Sequence, residues 1–340
     1  MKFGKTNTDH HYTITIVMGT YNGEKYIAEQ IDSIIQQTYR DWCLLVRDDG
    51  STDGTVAIIR AYTQNHPNIF LLEDTLGNVG FNRNFMTLIE QTGSPYISVC
   101  DQDDVWLPNK LMTSLNAIQA IEKSSDMPAL VHSDALIVDS QLKPIAEKWI
   151  GKRGAIEGLN GIAFANAVQG ASLMFNRALK ELAVATPLLA PYDYHLALLS
   201  VLKGKRYFIQ ESLLLYRQHS NNAIGGMQAD TQLNMQHYVR QFKQIAANLM
   251  ASLDYQKLNP TIHHSLNAYH LIKDNYAHGL IVASQKKALD EYFYIFEGHS
   301  TIKKIYLFLK NKYGFGSKKD RIIFLMLIIT GRNLLDPSSW

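Results

Sequence analysis

Cysteine is scarce. Cys43 and Cys100 are the only two in 340 residues, too few for a disulfide framework. Both fall in apolar runs that read as buried strands, which suits small core residues in a reducing cytoplasm better than a disulfide or metal pair. The first twelve residues are polar and contain histidine, so no secretory leader is expected. The apolar run Ile322-Ile-Phe-Leu-Met-Leu-Ile-Ile329 falls well short of the ~20 residues that span a bilayer. Neither charge sign dominates: 33 Lys and Arg against 31 Asp and Glu leave a net charge of +2, which argues against a dedicated nucleic-acid partner. There is no internal repeat and no low-complexity tract. The first strand signal leads into Gly19-Thr-Tyr-Asn-Gly23, not a Gly-x-Gly-x-x-Gly turn, which disfavours a dinucleotide-dependent dehydrogenase. The 46% of hydrophobic residues predict a globular chain with one large core and an appended module.

Strand and helix signals alternate from Tyr12 to about Asp139. Apolar runs at 13–18, 42–46, 69–73, 96–100 and 130–138 read as buried strands, and further strands are expected at 171–175 and 206–211. Helical spacing groups Ile27, Ile31, Ile34 and Ile35 on one face. It groups Phe81, Phe85, Leu88 and Ile89 on a second, and Leu111, Leu115 and Ile118 on a third. Residues 140–165 read as a loop-rich segment, either a mobile cover or a passive connection. A helix is expected over 192–204. Beyond Gly225 and Gly226 the strand signals stop, and 229–340 reads as helices, including 233–249 and 264–284. The pattern predicts an α/β fold with an open sheet in residues 1–225 and a helical C-terminal module in 226–340.

Carboxylates crowd the strand ends. Asp101, Asp103 and Asp104 follow the run at 96–100 and precede Pro108, a favourable first residue for a helix. Like charges this close repel one another unless a cation offsets them, and all-oxygen donors suit Mg²⁺ or Mn²⁺. The competing structural reading is a solvated acidic turn with Asp104 capping the next helix. Asp48 and Asp49 close another strand, Gly50 and Gly54 permit a tight turn, and Asp53 is placed to cap the helix that follows. Thr13-Ile-Thr-Ile-Val-Met18 leads into a third polar loop. Open α/β sheets bind ligands beyond the carboxyl ends of their strands, so the three loops are expected to converge on one ligand.

Four segments carry a resemblance. Thr20-Tyr-Asn-Gly23, Asp48-Asp-Gly-Ser-Thr-Asp-Gly-Thr55, Asn78-Val-Gly-Phe-Asn-Arg-Asn84 and Asp101-Gln-Asp-Asp-Val-Trp-Leu-Pro-Asn-Lys-Leu111 resemble, in order and spacing, the family 2 glycosyltransferases. The variant Asp-Gln-Asp-Asp-Val-Trp is most similar to bacterial rhamnosyltransferases. The likeness continues through Asp193 to Tyr216-Arg-Gln-His219. It implies a GT-A-type, Rossmann-like open sheet, a dTDP- or UDP-sugar donor, Mg²⁺ or Mn²⁺, and a glycan or lipid-linked glycan acceptor.

The resemblance also implies roles. Thr20 and Tyr21 would hold the nucleotide, with Tyr21 offering a face on which a pyrimidine stacks. Asp48 would accept from the base N3–H, with Asp49 helping to fix the turn. Arg83 would reach the nucleotide or diphosphate from a segment shorter than the common family pattern. Asp101 would hold the ribose or the edge of the ion, and Asp103 would ligate it. Arg217 and His219 would close over the diphosphate, with His219 as a third metal ligand. Gln169 and Gly170 match a region near the donor sugar and acceptor. Asp193 matches the base that takes the acceptor's proton. Asp in a first helical turn is also good capping chemistry, and His195 is a rival base turned about 200° around the helix. Trp106 reads as core before it reads as a pocket wall.

The expected reaction is inverting, metal-dependent transfer of a sugar, L-rhamnose from dTDP-L-rhamnose, to a glycan hydroxyl in cell-surface polysaccharide synthesis. The alternatives are a UDP-sugar-dependent hexosyltransferase and a catalytically inactive nucleotide-sugar-binding, membrane-associated subunit. Ile302-Lys-Lys-Ile-Tyr-Leu-Phe-Leu-Lys310, followed by Lys312, Lys318, Lys319 and Arg321, mixes basic and apolar residues. That mixture suits either contact with the inner face of an anionic membrane or a core helix with solvated lysines. The expected location is the cytoplasm, with or without that peripheral contact.

Overall fold

The structure, a computed structural model, describes residues 12–150, 158–163, 166, 168–188, 191–219, 260–277, 286–311 and single positions between 313 and 335. Nine strands form one sheet among these residues: β1 (Ile14–Thr20), β2 (Trp42–Asp48), β3 (Ile69–Leu71), β4 (Tyr96–Cys100), β5 (Val105–Trp106), β6 (Ala129–Val138), β7 (Pro144–Ala146), β8 (Leu173–Asn176) and β9 (Lys205–Arg217). Their order is β3-β2-β1-β4-β8-β6-β9-β5, with β7 on β6. The helices are α1 (Ile27–Ile35), α2 (Thr55–Asn65), α3 (Phe81–Gln91), α4 (Lys110–Ile121), α5 (Arg177–Ala185), α6 (Tyr192–Lys203), α7 (Pro260–Ala277), α8 (Lys286–Glu297) and α9 (Thr301–Lys310).

The sheet is mixed: β1, β2, β3 and β4 run parallel, and β8 lies antiparallel to both β4 and β6. The chain lays β2 and β3 on one side of β1, then crosses back to β4 on the other. That reversal makes a crevice beyond the carboxyl ends of β1 and β4, where Thr20 and Asp101 emerge. Period-2 alternation builds both faces. Ile14, Ile16 and Met18 join the apolar cluster that also holds Ile27, Ile31 and Ile34, while Val17 joins the opposite cluster with Phe85, Leu88 and Ile89. Each of the three α1 isoleucines is fully buried, about 1.5–3 kcal/mol per side chain. Helices α7–α9 bury Tyr269, Tyr292, Phe296 and Phe308 in the same cluster as α3 and α6.

Several expectations shift. Phe81, placed on the core face by its spacing, is 43% exposed, because it opens α3 and leans on Phe85 and Tyr192 at ring distances of 5.1 and 5.5 Å. The strand expected at 171–175 begins only at Leu173, behind a 3-10 turn over Gly170–Ser172. β9 runs on to Arg217, longer than the expected 206–211. Pro108 does not open a helix: α4 starts at Lys110. Asp104 does not cap it; the carboxylate is buried and Oδ1 accepts from the Arg217 backbone N–H at 3.1 Å. Trp106 is core. Cys43 and Cys100 are free thiols, and burial pushes Cys43 up to about 11. Helix α7 begins four residues before the expected 264. The expected helix at 233–249 and the boundary at 225 lie outside the described residues.

Arg47, 1% exposed, ties the end of β2 to the loop after β3. Its Nη1 donates to Asp49 Oδ1 (2.8 Å) and Asn84 Oδ1 (3.0 Å), and Nη2 donates to Gly77 O (2.9 Å). Its Nε and Nη2 grip Asp74 at 2.6 and 3.1 Å. Asp49 in turn accepts from the N–H groups of Val79 and Gly80. Removing one partner of a buried ion pair strands the other charge. Arg47→Ala is therefore expected to lower the unfolding free energy by about 3–5 kcal/mol, read as a fall in urea midpoint. Arg60→Ala, which breaks the exposed pair with Glu73, should change it by less than about 1 kcal/mol.

Candidate active site

The loops after β1 and β2 are laced together. Asn22, in the left-handed region (φ 48°), donates its N–H to Ser51 Oγ and accepts from Thr52 N through Oδ1. Gly23 N donates to Thr55 Oγ1, and Asp53 Oδ1 accepts from Thr55 N, but the N-cap of α2 is Gly54 and Asp53 stands one residue before it. Gly50 has φ 88°, which a side chain would strain. Asp48 accepts from Thr20 Oγ1 (3.0 Å), Ser51 Oγ (2.6 Å), Gly50 N (3.1 Å) and Ser51 N (2.8 Å). Two of those four donors are hydroxyls that rotate.

Beyond these loops lies a cavity of about 370 Å³. Thr20 and Tyr21 border it on one side, Phe81 and Phe85 give it an apolar wall, and Asp101 and Asp103 close its far end. Tyr21 is half exposed. Its backbone N and O are both bonded by the Gln102 amide at 3.0 Å, so the loop after β1 is fastened to the acidic loop. A second cavity, about 330 Å³, adjoins it across Gln102 and is lined by Tyr21, Tyr26, Asp103 and His219.

The two faces of the acidic loop differ. On the inner side, Arg217 is 2% exposed. Its Nε donates to Asp103 O (2.8 Å), Nη1 to Ser140 O (2.9 Å) and Nη2 to Glu29, and its guanidinium lies 4.5 Å from the centre of the Tyr26 ring. Burial, then Asp103 and Asp101, pushes the Asp104 carboxyl well above the usual range. On the outer side, Asp103 Oδ2 is 2.9 Å from His219 Nε2, and His219 packs on Tyr26 at 4.8 Å. Asp101 Oδ1 is buried with no hydrogen-bond partner. Burial, then Asp103 and Asp193, raises that carboxyl.

A second cluster borders Asp101. Asp193, in the first turn of α6, accepts from Asn166 Nδ2 at 3.0 Å and from Tyr194 N at 2.7 Å. Burial still pushes it up to about 6. The amide of Gln169 is buried with neither end partnered, and so is the Tyr192 hydroxyl. The Tyr192 ring stacks on Phe85 at 4.5 Å, behind the apolar wall. His195 points elsewhere, buried against α5 with Nε2 3.3 Å from Ala183 O.

Thus Thr20, Tyr21, Asp101 and Asp103 meet at one cavity, Asp103 and His219 at its neighbour, and Gln169, Gly170 and Asp193 beyond Asp101. Arg83 sits on the exposed face of α3, outside both linings, and Arg217 lies beneath the loop. Gln102, Asn166 and Tyr192 escaped the sequence reading. Gln102 had a signal, a polar residue alternating with two aspartates; Asn166 had none, because its contact is purely spatial. The donor set tests well for a divalent cation: one carboxylate–imidazole pair beside a bare carboxylate oxygen. No group of three or more His, Cys, Asp or Glu side chains that could hold a metal ion is present among the described residues.

Residues 15–183 match the profile described as Glycosyl transferase family 2. A dTDP-rhamnosyl transferase, RfbG, of Shigella flexneri is 34% identical over 105 residues, 30% of this chain and 36% of the relative. An Escherichia coli UDP-Glc:alpha-D-GlcNAc-diphosphoundecaprenol beta-1,3-glucosyltransferase, WfgD, is 35% identical over 100 residues, 29% and 38% of the two chains. The chain spans about half the length of the curated relatives it matches. Among solved structures, S. aureus TarS 1-349 in complex with UDP-GlcNAc superposes with a TM-score of 0.53 at 13% identity, over 94% of this chain and 92% of that one, a likeness of fold of the GT-A type.

Gly170 tests the geometry of the second cluster. A Cβ there would lie 2.2 Å from the Tyr192 hydroxyl and 3.7 Å from Asp193 Cβ. Gly170→Ala should cost about 1–3 kcal/mol by overpacking. Tyr192→Phe in the same chain should recover most of it, a coupling visible in a double-mutant cycle of urea denaturation.

Proposed function

The chain belongs to glycosyl transferase family 2, and from that premise we propose an inverting, divalent-cation-dependent transferase that moves L-rhamnose from dTDP-L-rhamnose to a hydroxyl of a glycan or lipid-linked glycan in cell-surface polysaccharide synthesis. One observation carries the reading. Asp101, with a bare buried oxygen, is close enough to feel both Asp103 at the cavity and Asp193 beyond it. Those are the groups a diphosphate and an acceptor hydroxyl each need. The rhamnose assignment leans on the Asp-Gln-Asp-Asp-Val-Trp motif and on the likeness to the Shigella dTDP-rhamnosyl transferase. The Phe81 and Phe85 wall also suits the methyl groups of a 6-deoxyhexose or thymine.

In this mechanism the pyrimidine stacks on Tyr21 beside Thr20. Asp48 accepts the base N3–H once the Ser51 or Thr20 hydroxyl turns away. Asp101 takes the ribose hydroxyls. Asp103 and His219 would hold Mg²⁺ or Mn²⁺, which would supply positive charge to offset that building on the leaving diphosphate. Gln169 and Gly170 flank the sugar. Asp193 accepts the acceptor hydroxyl's proton as the acceptor oxygen bonds to C1. The C1–O bond to the β-phosphate breaks, its electron pair leaves with the diphosphate, and a β-linked donor gives an α-linked product. Arg217 is assigned to holding the acidic loop, since its Nε, Nη1 and Nη2 each already donate to protein acceptors.

A donor screen by thermal shift tests the reading, because a ligand that binds only the folded state stabilises it by about 2.7 kcal/mol at 100 times Kd. A shift with dTDP-L-rhamnose that is lost with chelator is expected. A preference for UDP-glucose would favour the hexosyl reading suggested by the E. coli relative, and no shift with any nucleotide sugar would sink both. Asp193→Asn should lower turnover by about 10²–10⁴-fold with the nucleotide shift retained. The pH profile follows from the same group. A base raised to about 6 is lost to protonation below that pH, so turnover should climb as pH rises to about 6 and level off on that limb. Stability has the opposite sign. Between the ordinary carboxyl value and about 6 the folded form binds the extra proton, so this group's contribution falls as pH rises through that window.

A further inference from the structure

We propose that α9 rests on the surface of an anionic phospholipid bilayer. Ile302, Tyr306 and Leu309 would enter the headgroup region, flanked by Lys303 and Lys310. At 3.6 residues per turn these three apolar residues fall within an arc of about 60°. They are 82%, 61% and 50% exposed, and Ile302 is the most exposed large hydrophobic among the described residues. The opposite side of the same helix is anchored: Leu307 and Phe308 are buried in the core shared with α6 and α8. The helix therefore has a second apolar face that the protein does not cover. Scattered single hydrophobics on a surface mean little, whereas three aligned on one helix face mark a contact.

Charge selects the occupant. Lys303 and Lys310 fall along one edge of the stripe, Lys303 at 4.1 Å over the Tyr294 ring and Lys310 paired with Glu291 at 2.7 Å, and α9 carries no acidic residue. From Thr301 to Arg321 the sequence has seven Lys or Arg and one acid, Asp320, whereas the other 319 residues carry 26 basic and 30 acidic side chains. Such local basicity in a chain that is otherwise net acidic matches an anionic surface, where each Lys or Arg near the headgroups contributes about 1 kcal/mol. A second copy docking through the same face would oppose like charges across a two-fold axis. Among the described residues no helix is long and apolar enough to cross a membrane, so α9 lies along the surface.

The test is cosedimentation of the full chain with phosphatidylcholine vesicles, with and without phosphatidylglycerol. Binding is expected only to the anionic vesicles and should weaken as salt is raised. Ile302→Asp with Leu309→Asp should cut the partition coefficient by at least about tenfold, and Lys303→Glu by several-fold. Thermal unfolding of the double variant in buffer should stay close to the parent, because neither Ile302 nor Leu309 belongs to the buried core; Lys303→Glu also loses the contact with the Tyr294 ring, so its vesicle binding is compared at a temperature where it is folded. Equal binding to neutral vesicles, or undiminished binding of the double variant, would overturn the proposal. So would a dimer in light scattering that the double variant dissolves while vesicles capture nothing. The inference stands apart from the sugar chemistry: vesicle binding without any nucleotide-sugar binding would sink only the reading above, and the converse only this one.

Discussion

Mutual repulsion among carboxylates at the end of β4 is the constraint to which the surrounding structure answers. Asp101, Asp103 and Asp104 share four consecutive positions, and Asp193 is close enough to act on the first of them. The protein braces this crowd most tightly from beneath. Arg217 and its own backbone N–H hold the loop from within, and Lys110, buried over the Trp106 ring and lowered to about 8 by burial, lies near Asp104. The outer side receives His219, and Lys25, over the Tyr26 ring at 4.8 Å, lines the same cavity. On the function proposed above, a cation with a diphosphate would offset the charge that remains.

Sheet topology explains why this deficit lies where it does. Residues at the ends of adjacent parallel strands share one edge, so the reversal between β1 and β4 brings the loops at Thr20, Asp48 and Asp101 together without further design. Asp193 arrives by a different route, on a helix that packs against α3 through the Phe85–Tyr192 stack. That stack joins the apolar wall of the cavity to the helix that carries Asp193. It also explains the glycine at 170, because the Tyr192 hydroxyl occupies the space a side chain would need.

How legible this was depended on what decides each residue's role. Strand and helix periods depend on local alternation, and the sheet from β1 to β4 could be read directly. Clustering of Thr20, Tyr21, Asp101 and Asp103 followed from strand ends in one fold class. Arg217 reads identically in sequence whether its guanidinium faces a ligand or its own loops. The acceptors its guanidinium finds, the carbonyls of Asp103 and Ser140 and the carboxylate of Glu29, are distant in sequence and could not be read from it. Asp104 looked like a helix cap because Pro108 follows closely, yet α4 begins late and the carboxylate turns inward to a backbone 113 positions away. The short strands β5 and β7 had no period to detect.

The C-terminal helices matter to the site through packing. Tyr194 follows Asp193, donates its hydroxyl to Ile162 O at 2.6 Å, and shares a buried cluster with Tyr292 of α8 and Phe308 of α9. Close-packed interiors transmit displacement poorly as slack and well as strain. The position of Asp193 relative to α9 is therefore fixed by side-chain contact. A flexible linker would let an acceptor's distance from the base vary, whereas a shared core makes that distance a property of the fold. Were α9 to rest on a bilayer and Asp193 to act as the base, as proposed above, the height of Asp193 above the surface would select which hydroxyl of a lipid-linked glycan it reaches.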